Sequence, residues 1–461
     1  MEDPGSDIER ILALDREHVI HPIHELAKHE ARGATLFTGG QGIELELADG
    51  RRVIDGLSGL FNVNVGHGRR EIADAVFAQM RQLAYYPSFW DFGNEPAARL
   101  AGRLAGLLPA DRGLRHVLFH SSGSEANEAN FRIARLYHAV RGKPEKTLIL
   151  SRRWAFHGAT RGAGAATGIA AYHALVAQDP GHAHVAPPYC YRCEFGRTHP
   201  GCGLPCAGDL EAAILRFGAD RVAAFVAEPV MATGGIVVPP PEYFAEIQAI
   251  CRRHDVLLVL DEVITGFGRT GRWFAMEHWD IHPDLLSLAK GITSGYLPLS
   301  ASVLSDRVYE TLRDRTPPGL PFMFGLTSNN HPTCCAAALA NLDILERERL
   351  VENARATGAY LQERLRKSFG GSPIVGDVRG LGMLAGLEIV RDRAARTPFP
   401  NPGDPAWIAR AAFERGLIVR ALFQCVALAP PLCASPRDVD RIVEILEDVW
   451  PAAERHVLGR A

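Results

Sequence analysis

Short apolar runs that end in polar residues recur through the middle of the chain. Residues 222–227, 256–260 and 285–289 each carry at most one polar side chain and have the length of a strand. Runs of this kind are typical of strands buried on both faces, as in a parallel sheet covered by helices. Because polar residues and then a helical pattern follow the runs, the chain is predicted to form a doubly wound α/β domain.

Charged residues stand where these runs end. Glu228 follows the first run, Asp261 and Glu262 follow the second, and Lys290 follows the third. Open α/β sheets bind ligands at the carboxyl ends of their strands. A lysine in a dry site can form a Schiff base with an aldehyde, and an aspartate can pair with a pyridine nitrogen. The combination suggests pyridoxal phosphate; the alternatives are a magnesium site or an ion pair at the carboxylates, and an ordinary surface lysine.

A candidate phosphate site precedes a predicted helix. Ser122, Gly123 and Ser124 follow a short strand at 115–119, and apolar residues at helical spacing come next. Glycine lets the backbone approach an anion, serine donates a hydrogen bond, and the first N–H groups of the helix face the anion. The alternative is a simple serine N-cap with an acidic residue in the first turn.

The two ends of the chain differ from its middle. Residues 43–47 alternate between apolar and polar side chains and turn into 52–56, which predicts a hairpin. Beyond about residue 330 the composition shifts, and a closing helix at 436–450 should end or kink at Pro451. We predict three parts: an N-terminal arm and hairpin over 1–60 that joins the small domain, a large domain over 61–330, and a smaller α+β domain over 331–461.

Length and charge narrow the class of protein. A chain of 461 residues is too long for one simple core, which agrees with more than one domain. A formal net charge of −3 gives no electrostatic argument for binding nucleic acid or a membrane. The start of the chain is acidic, and no apolar run approaches the roughly 18 residues of a spanning helix. We therefore predict a cytoplasmic protein without a nucleic-acid or membrane partner.

Four cysteines lie close together in a loop rich in Pro, Gly and Arg. Cys190, Cys193, Cys202 and Cys206 have the spacing C-x2-C-x8-C-x3-C. Two close pairs of thiolates can hold a structural zinc ion. The alternative is reduced thiols that pack as small hydrophobic groups, and the spacing leaves both open. No metal is predicted at the active site.

Taken in order, the site residues resemble those of the class III pyridoxal-phosphate aminotransferases. The similarity runs from about residue 30 to residue 450. Its motifs are Ser122-Gly123-Ser124-Glu125-Ala126-Asn127-Glu128, Phe156-His157-Gly158, Glu228-Pro229, the stretch from Asp261 to Gly271, Ala289-Lys290-Gly291 and Gly325-Leu326-Thr327. The resemblance implies the aspartate aminotransferase-like fold, fold type I, with a mostly parallel seven-stranded sheet in the large domain and a smaller α+β domain. It also implies a homodimer with shared active sites, with a tetramer as a further assembly.

The resemblance also assigns roles at the cofactor. Lys290 would hold pyridoxal 5′-phosphate as a Schiff base and move the substrate proton, and Asp261 would pair with the pyridine nitrogen. Phe156 and Val263 would lie on the two faces of the ring, although the family usually has tyrosine at the first position. The other implied cofactor contacts are Ser122, Gly123, Ser124, His157, Glu228 and, from the other protomer, Thr327 of the partner subunit.

Fewer residues bear on the substrate. Ile264 stands where ornithine-type members carry glutamine, which weakens an ornithine or 4-aminobutyrate assignment. Arg420 matches a mobile arginine that pairs with a carboxylate, and a guanidinium fork suits a carboxylate or a sulfonate. The loop at 188–193 resembles one in taurine:pyruvate aminotransferases. Three aromatic residues would line the pocket mouth: Phe61, Phe89 and Trp90. Simple packing is the alternative for these aromatics, and an exposed or domain-interface position is the alternative for the arginine.

The sequence therefore predicts a transaminase of the EC 2.6.1 type. It would move an amino group from an ω-amino acid or primary amine to an α-keto acid, pyruvate in particular, by a ping-pong mechanism. An aminomutase, a racemase or a decarboxylase on the same scaffold is the alternative, and none of these needs an external keto acid. A non-catalytic protein that keeps the fold is a further alternative, against which the intact Lys290 and Asp261 argue.

Overall fold

The computed structural model describes residues 4–174, 179–397 and 403–459. Its helices are α1 Pro4–His18, α2 Leu26–Arg32, α3 Ser58–Phe61, α4 Arg70–Leu83, α5 Glu95–Leu107, α6 Gly123–Val140, α7 Arg161–Ala166, α8 Pro205–Phe217, α9 Tyr243–Arg253, α10 Asp306–Arg315, α11 Pro332–Arg347, α12 Leu350–Phe369, α13 Gly403–Glu414 and α14 Pro436–Leu458. Its strands are β1 Phe37–Gln41, β2 Glu44–Leu47, β3 Arg52–Asp55, β4 Leu114–His120, β5 Leu148–Arg152, β6 His182–Val185, β7 Val222–Ala227, β8 Leu257–Asp261, β9 Leu285–Leu288, β10 Ser300–Ser305, β11 Val375–Leu381, β12 Leu384–Ile389, β13 Leu417–Ile418, β14 Arg420–Leu422 and β15 Cys425–Leu428. None of the described helices is both long and apolar enough to cross a membrane.

A mostly parallel seven-stranded sheet forms the centre of the molecule. Its strand order is β4-β10-β9-β8-β7-β5-β6, and β10 runs antiparallel to both of its neighbours. Every residue of β5, β7, β8, β9 and β10 is buried, because helices cover the sheet and most side chains of these strands are apolar. The predicted α/β fold with a seven-stranded sheet is confirmed.

Two smaller sheets flank the large one, and one of them joins the two ends of the chain. The hairpin of β2 and β3 forms as predicted, with Leu45 opposite Val53. β13 adds to β3 in parallel, so the chain near residue 417 closes the N-terminal sheet. The third sheet has the order β11-β12-β15-β14. The three-part domain division stays a prediction, and residues 1–3, 175–178, 398–402 and 460–461 lie outside the described part.

The closing helix passes through its proline. The sequence predicts that α14 ends or kinks at Pro451; the helix continues to Leu458, so it does not end there. Proline removes one backbone N–H and its ring crowds the preceding turn, at a cost of about 3 kcal/mol inside a helix. The apolar face on both sides of the proline offsets this cost, because Trp450, Ala453 and Val457 are all buried. Trp450 also stacks on Phe369 with ring centroids 4.3 Å apart. Tertiary packing therefore decides the length of this helix.

A buried histidine makes the fold sensitive to acid. His138 in α6 has no exposed surface, its Nε2 lies 3.0 Å from the carbonyl oxygen of Ala223, and burial lowers its pKa from 6.5 to about 4. Below pH 6.5 the unfolded chain therefore takes up this proton while the folded chain does not, so stability is lost as the pH falls from 6.5 towards 4. The lost stability is at most about 3 kcal/mol.

His138→Gln keeps a donor for the carbonyl of Ala223 but cannot be protonated. We expect its free energy of unfolding, measured by urea titration between pH 7 and pH 4.5, to fall less steeply than that of the unmodified chain. His24→Gln, at an exposed position, is the control and should follow the unmodified curve. Equal slopes for all three proteins would contradict the assignment.

Candidate active site

A cavity of about 390 Å³ opens at the carboxyl edge of the large sheet. β7, β8 and β9 are adjacent and parallel, with Ala227 opposite Leu260 and Asp261 opposite Ser287. The residues that follow these strands therefore meet at one edge, as the sequence predicted. The cavity wall consists of Asn62, Ser121, Ser122, Gly123, Ser124, Phe156, His157, Gly158, Glu228, Asp261, Val263, Ile264, Ala289, Lys290, Thr293, Gly295, Leu297, Pro298 and Leu299.

Asp261 is buried at the end of β8 and held by three donors. Its Oδ1 accepts the backbone N–H of Val263 at 3.0 Å. Its Oδ2 accepts Nδ2 of Asn127 at 2.8 Å and Nδ1 of His157 at 2.8 Å. Since a carboxylate only accepts, His157 must carry its proton on Nδ1. These donors fix the direction of the carboxylate on the cavity wall.

A chain of buried polar side chains stabilises the donors themselves. Nδ2 of Asn127 also donates to the carbonyl oxygen of His157 at 2.7 Å. Oδ1 of Asn127 accepts the hydroxyl of Ser287 at 2.7 Å, and that hydroxyl accepts Nδ2 of Asn130 at 2.8 Å. All these side chains are buried, so each hydrogen bond restricts rotation in the chain. Asn127, Asn130 and Ser287 were not among the predicted site residues; their signal in the sequence was polar residues on the buried face of α6 and inside β9.

Lys290 follows β9 and faces Asp261 and Glu228. Burial lowers the pKa of its ammonium group, while the charges of Asp261 and Glu228 act in the opposite direction. Among the described residues, no hydrogen bond or ion pair engages its Nζ. Its backbone is left-handed, with φ of 48°, which costs a non-glycine residue about 1–2 kcal/mol. A lysine in a strained turn, with an unpaired amine whose pKa is lowered by burial, is available for chemistry.

Glu228 braces the turn that carries Phe156. Its Oε1 accepts the backbone N–H of Phe156 at 3.2 Å, and its Oε2 accepts that of Ala232 at 3.1 Å. Burial raises the pKa of this carboxyl group, and the charge of Asp261 adds to the effect. Glu228 therefore lies on the cavity wall and supports the loop with the aromatic ring.

The first turn of α6 forms the far end of the cavity. Ser122 is the N-cap of this helix, and its Oγ accepts the N–H of Glu125 at 3.3 Å, so the cap reading is confirmed. A Cβ atom at Gly123 would lie 3.0 Å from both methyl groups of Val263, so any larger residue would oblige Val263 to move. Ser124 Oγ accepts the N–H of Ala159 at 3.2 Å. The cap and an anion site are compatible, because the helix N–H groups face the cavity.

Two side chains line the cavity between these two ends. Phe156 and Val263 are half-buried and both line it. The ring of Phe156 packs edge-on against Tyr172, with centroids 5.5 Å apart. A flat group between Phe156 and Val263 would reach Lys290, Asp261 and the start of α6.

The other predicted site residues lie away from the cavity wall of this chain. Phe61 is buried behind the wall, in a cluster that includes Ile264. Phe89 packs on Gly325, and Trp90 is 84% exposed. Thr327 is exposed, and its carbonyl oxygen accepts the hydroxyl of Tyr85. The roles predicted for these residues stay predictions.

Arg420 begins β14, close enough to Lys290 for its charge to lower the lysine pKa. Burial lowers the pKa of Arg420 itself. Among the described residues, no carboxylate pairs with its guanidinium group. A half-buried guanidinium without a partner has an unfavourable desolvation free energy, which an ion pair with the anionic group of a ligand would offset.

The aminotransferase class-III family model matches residues 26–450. The chain belongs to this family. It is therefore a transaminase of the EC 2.6.1 type, and its cofactor is pyridoxal 5′-phosphate.

Individual class III aminotransferases are similar over almost the whole length. A diaminobutyrate–2-oxoglutarate transaminase of Halomonas elongata is 43% identical, with 93% of both chains covered. A putrescine–pyruvate aminotransferase of Pseudomonas aeruginosa is 37% identical, with 94% of both covered. The crystal structure of an (S)-enantioselective omega-transaminase from Thermomicrobium roseum is 42% identical, has a TM-score of 0.92 and is matched over 98% of this chain and 99% of that one.

The cavity of this aminotransferase fits its cofactor. Lys290 has a free amine for the aldehyde, Asp261 offers a fixed carboxylate for a ring nitrogen, and α6 offers N–H groups for a phosphate. Gly123 keeps open a space that a Cβ atom would fill. Together these features match the aldehyde, the ring nitrogen and the phosphate of one molecule.

Proposed function

We propose that this aminotransferase takes the amino group from an ω-amino acid or a primary amine and passes it to pyruvate. Arg420 carries the proposal, because one unpaired guanidinium near Lys290 provides for one substrate carboxylate. Among the described residues of the cavity wall, Lys290 is the sole lysine or arginine, so a second carboxylate has no partner there. Pyruvate has one carboxylate and 2-oxoglutarate has two. The similarity to a putrescine–pyruvate enzyme points the same way, while that to a 2-oxoglutarate enzyme makes the acceptor the decisive measurement.

Each residue of the cavity wall would have a separate role around the cofactor. The bound cofactor supplies an electron sink for the bond broken at the substrate carbon. We assign Lys290 Nζ to the covalent attachment and to the proton that leaves and returns at that carbon. Asp261 would place its carboxylate against the ring nitrogen, and the first turn of α6 with Ser124 would anchor the phosphate. Phe156 and Val263 would hold the ring plane, while His157 orients Asp261 and Glu228 orients the loop of Phe156.

We further propose a homodimer with shared active sites, located in the cytoplasm. Trp90 is 84% exposed and packs edge-on against Phe92, which is itself 51% exposed. Exposed aromatic residues that cluster mark an interaction surface. Phe89, Trp90 and Thr327 would then complete the site of the other protomer. All nine cysteines are free thiols, which suits a reducing compartment.

Arg420→Met tests the role of the guanidinium. We expect the KM for pyruvate to rise by about 10- to 100-fold, because a charge-assisted hydrogen bond to the carboxylate is lost. The first half-reaction with a carboxylate-free amine such as putrescine should change by less than about twofold, since Arg420 has no anion to bind there. Steady-state formation of alanine and single-turnover absorbance measurements give the two quantities.

Arg366→Met, at an exposed position on α12, is the matched control and should keep both values. The unmodified enzyme should use pyruvate with a higher kcat/KM than 2-oxoglutarate. An unchanged pyruvate KM in Arg420→Met would exclude the assigned role, and a preference for 2-oxoglutarate would replace the proposed acceptor.

A further inference from the structure

Three metal-ligating side chains converge in the N-terminal arm, far along the chain from the catalytic residues. Asp15 belongs to α1, His29 belongs to α2, and His21 lies in the loop between the two helices. Their ligand atoms all lie within 4.8 Å of one another. We propose that Asp15, His21 and His29 bind a divalent transition-metal ion of the zinc type.

The separations between the ligand atoms suit such an ion. His21 Nε2 lies 3.1 Å from Asp15 Oδ1, and His29 Nε2 lies 3.5 Å from the same oxygen. Zinc bonds of about 2.0–2.2 Å place neighbouring ligand atoms about 3.0–3.5 Å apart in octahedral or tetrahedral geometry. Two imidazoles and one carboxylate are a ligand set for zinc, iron, cobalt or nickel, and a water completes the shell.

His29 supplies the observation that points to a ligand. It is 6% exposed, and its Nε2 is buried without a hydrogen-bond partner, although Asp15 is near. An unsatisfied buried nitrogen costs about 1–3 kcal/mol, and a metal bond would remove that cost. His21 Nε2 is hydrogen-bonded to Asp15, so the ion would replace the proton between them.

Among the described residues, no lysine or arginine side chain takes the place of a metal ion in this cluster. The ion-pair partners of Asp15 in the described part of the chain are the two histidines, and no lysine or arginine pairs with it. A second cluster, Asp111, Asp280 and His282, differs in this respect. Arg112 forms ion pairs with both of its carboxylates and lies 2.8 Å from Nε2 of His282. The guanidinium already fills that cluster, and its three residues are exposed.

A metal ion at the arm would fasten α1 to α2. α2 has only seven residues and exposes Leu26, so few apolar contacts hold it to α1. The ion would join residues 14 positions apart and so restrict the arm in the folded state. The ligands must be deprotonated, so metal binding should weaken in acid.

The test is Co²⁺ and Zn²⁺ binding to the holoenzyme after dialysis against a chelator. We expect one tight site per chain, with Co²⁺ bands typical of nitrogen and oxygen ligands and without the thiolate charge-transfer band that the cysteine loop would give. His29→Gln and Asp15→Asn should each weaken binding by about 100-fold or more, beyond the effect of losing a supporting partner. His24→Gln, an exposed neighbour of His29, is the matched control and should bind like the unmodified enzyme.

Circular dichroism and transaminase activity in the absence of added metal show whether each variant folds. A folded His29→Gln enzyme that binds Zn²⁺ as tightly as the unmodified enzyme would overturn the proposal. Zinc binding that His24→Gln weakens equally, or a cobalt spectrum dominated by thiolate bands, would overturn it as well. Binding lost in both His29→Gln and Asp15→Asn and kept in His24→Gln would establish the site.

Discussion

Lys290→Ala is expected to lower kcat by about 10⁴-fold or more, because both the covalent attachment and the proton transfer use its amine. No second amine can take over, since Lys290 is the sole lysine among the described residues of the cavity wall. The purified variant should also lack the visible absorbance of the unmodified enzyme, since that band requires the bond to Lys290. The measurements are kcat for alanine formation and the absorbance spectrum after dialysis.

Lys146 offers a matched control for this experiment. It is also buried, and burial lowers its pKa, but its Nζ donates to the carbonyl oxygen of Ala219 at 2.7 Å, away from the cavity. Lys146→Met should therefore lose stability and keep both kcat and the visible band. A Lys290→Ala enzyme with more than about one per cent of the unmodified kcat would assign the proton transfer to another group.

The position of the site could be predicted because strand ends can be read from the sequence. The apolar runs before Glu228, Asp261 and Lys290 have the length and composition of buried strands, and parallel strands bring their carboxyl ends together. The pattern of an apolar run followed by a charged residue thus predicted which residues meet. It does not predict which atoms each of them contacts, because those contacts depend on how helices and strands pack.

The hydrogen-bond chain behind Asp261 shows this difference. Asn127 and Asn130 stand in α6, and Ser287 stands in β9, so their contacts depend on the rotation of the helix over the sheet. A polar residue on a buried helix face is a signal in the sequence, but the partner is not. The same holds for His29, whose unpaired nitrogen and nearness to Asp15 follow from the return of the chain between α1 and α2.

Arg420 illustrates a second limit. Residues 417–420 are one continuous run in the sequence, but the structure divides them at Val419 between two sheets. β13 pairs with β3, while β14 pairs with β15. Arg420 is therefore the first residue of β14, at the point where the chain passes from the sheet that contains β13 to the sheet that contains β15. A break of this kind depends on which strands are neighbours, so it could not be predicted from hydrophobicity alone.

Asp261→Asn is expected to lower kcat on the order of 10³-fold, with the cofactor still bound at about one per chain. The amide keeps the shape of the side chain but removes the charge opposite the ring nitrogen. It also places an amide nitrogen against the donors that now meet the carboxylate, including His157 and Asn127. Lys290 and the start of α6 are unchanged, so attachment of the cofactor should persist. Single-turnover rates of both half-reactions should fall together. Each half-reaction breaks a bond to carbon, and the cofactor ring would stabilise the negative charge that develops there.

Asp284→Asn is the matched control for this charge. Asp284 is half-buried, with 16% of its side chain exposed, and it precedes β9 at the opposite edge of the same sheet, where it accepts the N–H of Leu258 at 2.9 Å and pairs with Arg307. Its variant should unfold at lower temperature and keep its rates, because the lost interactions hold the sheet and not the cofactor. If Asp261→Asn kept more than about a tenth of the unmodified kcat, the carboxylate would be a structural group that orients His157, and the ring nitrogen would need another partner.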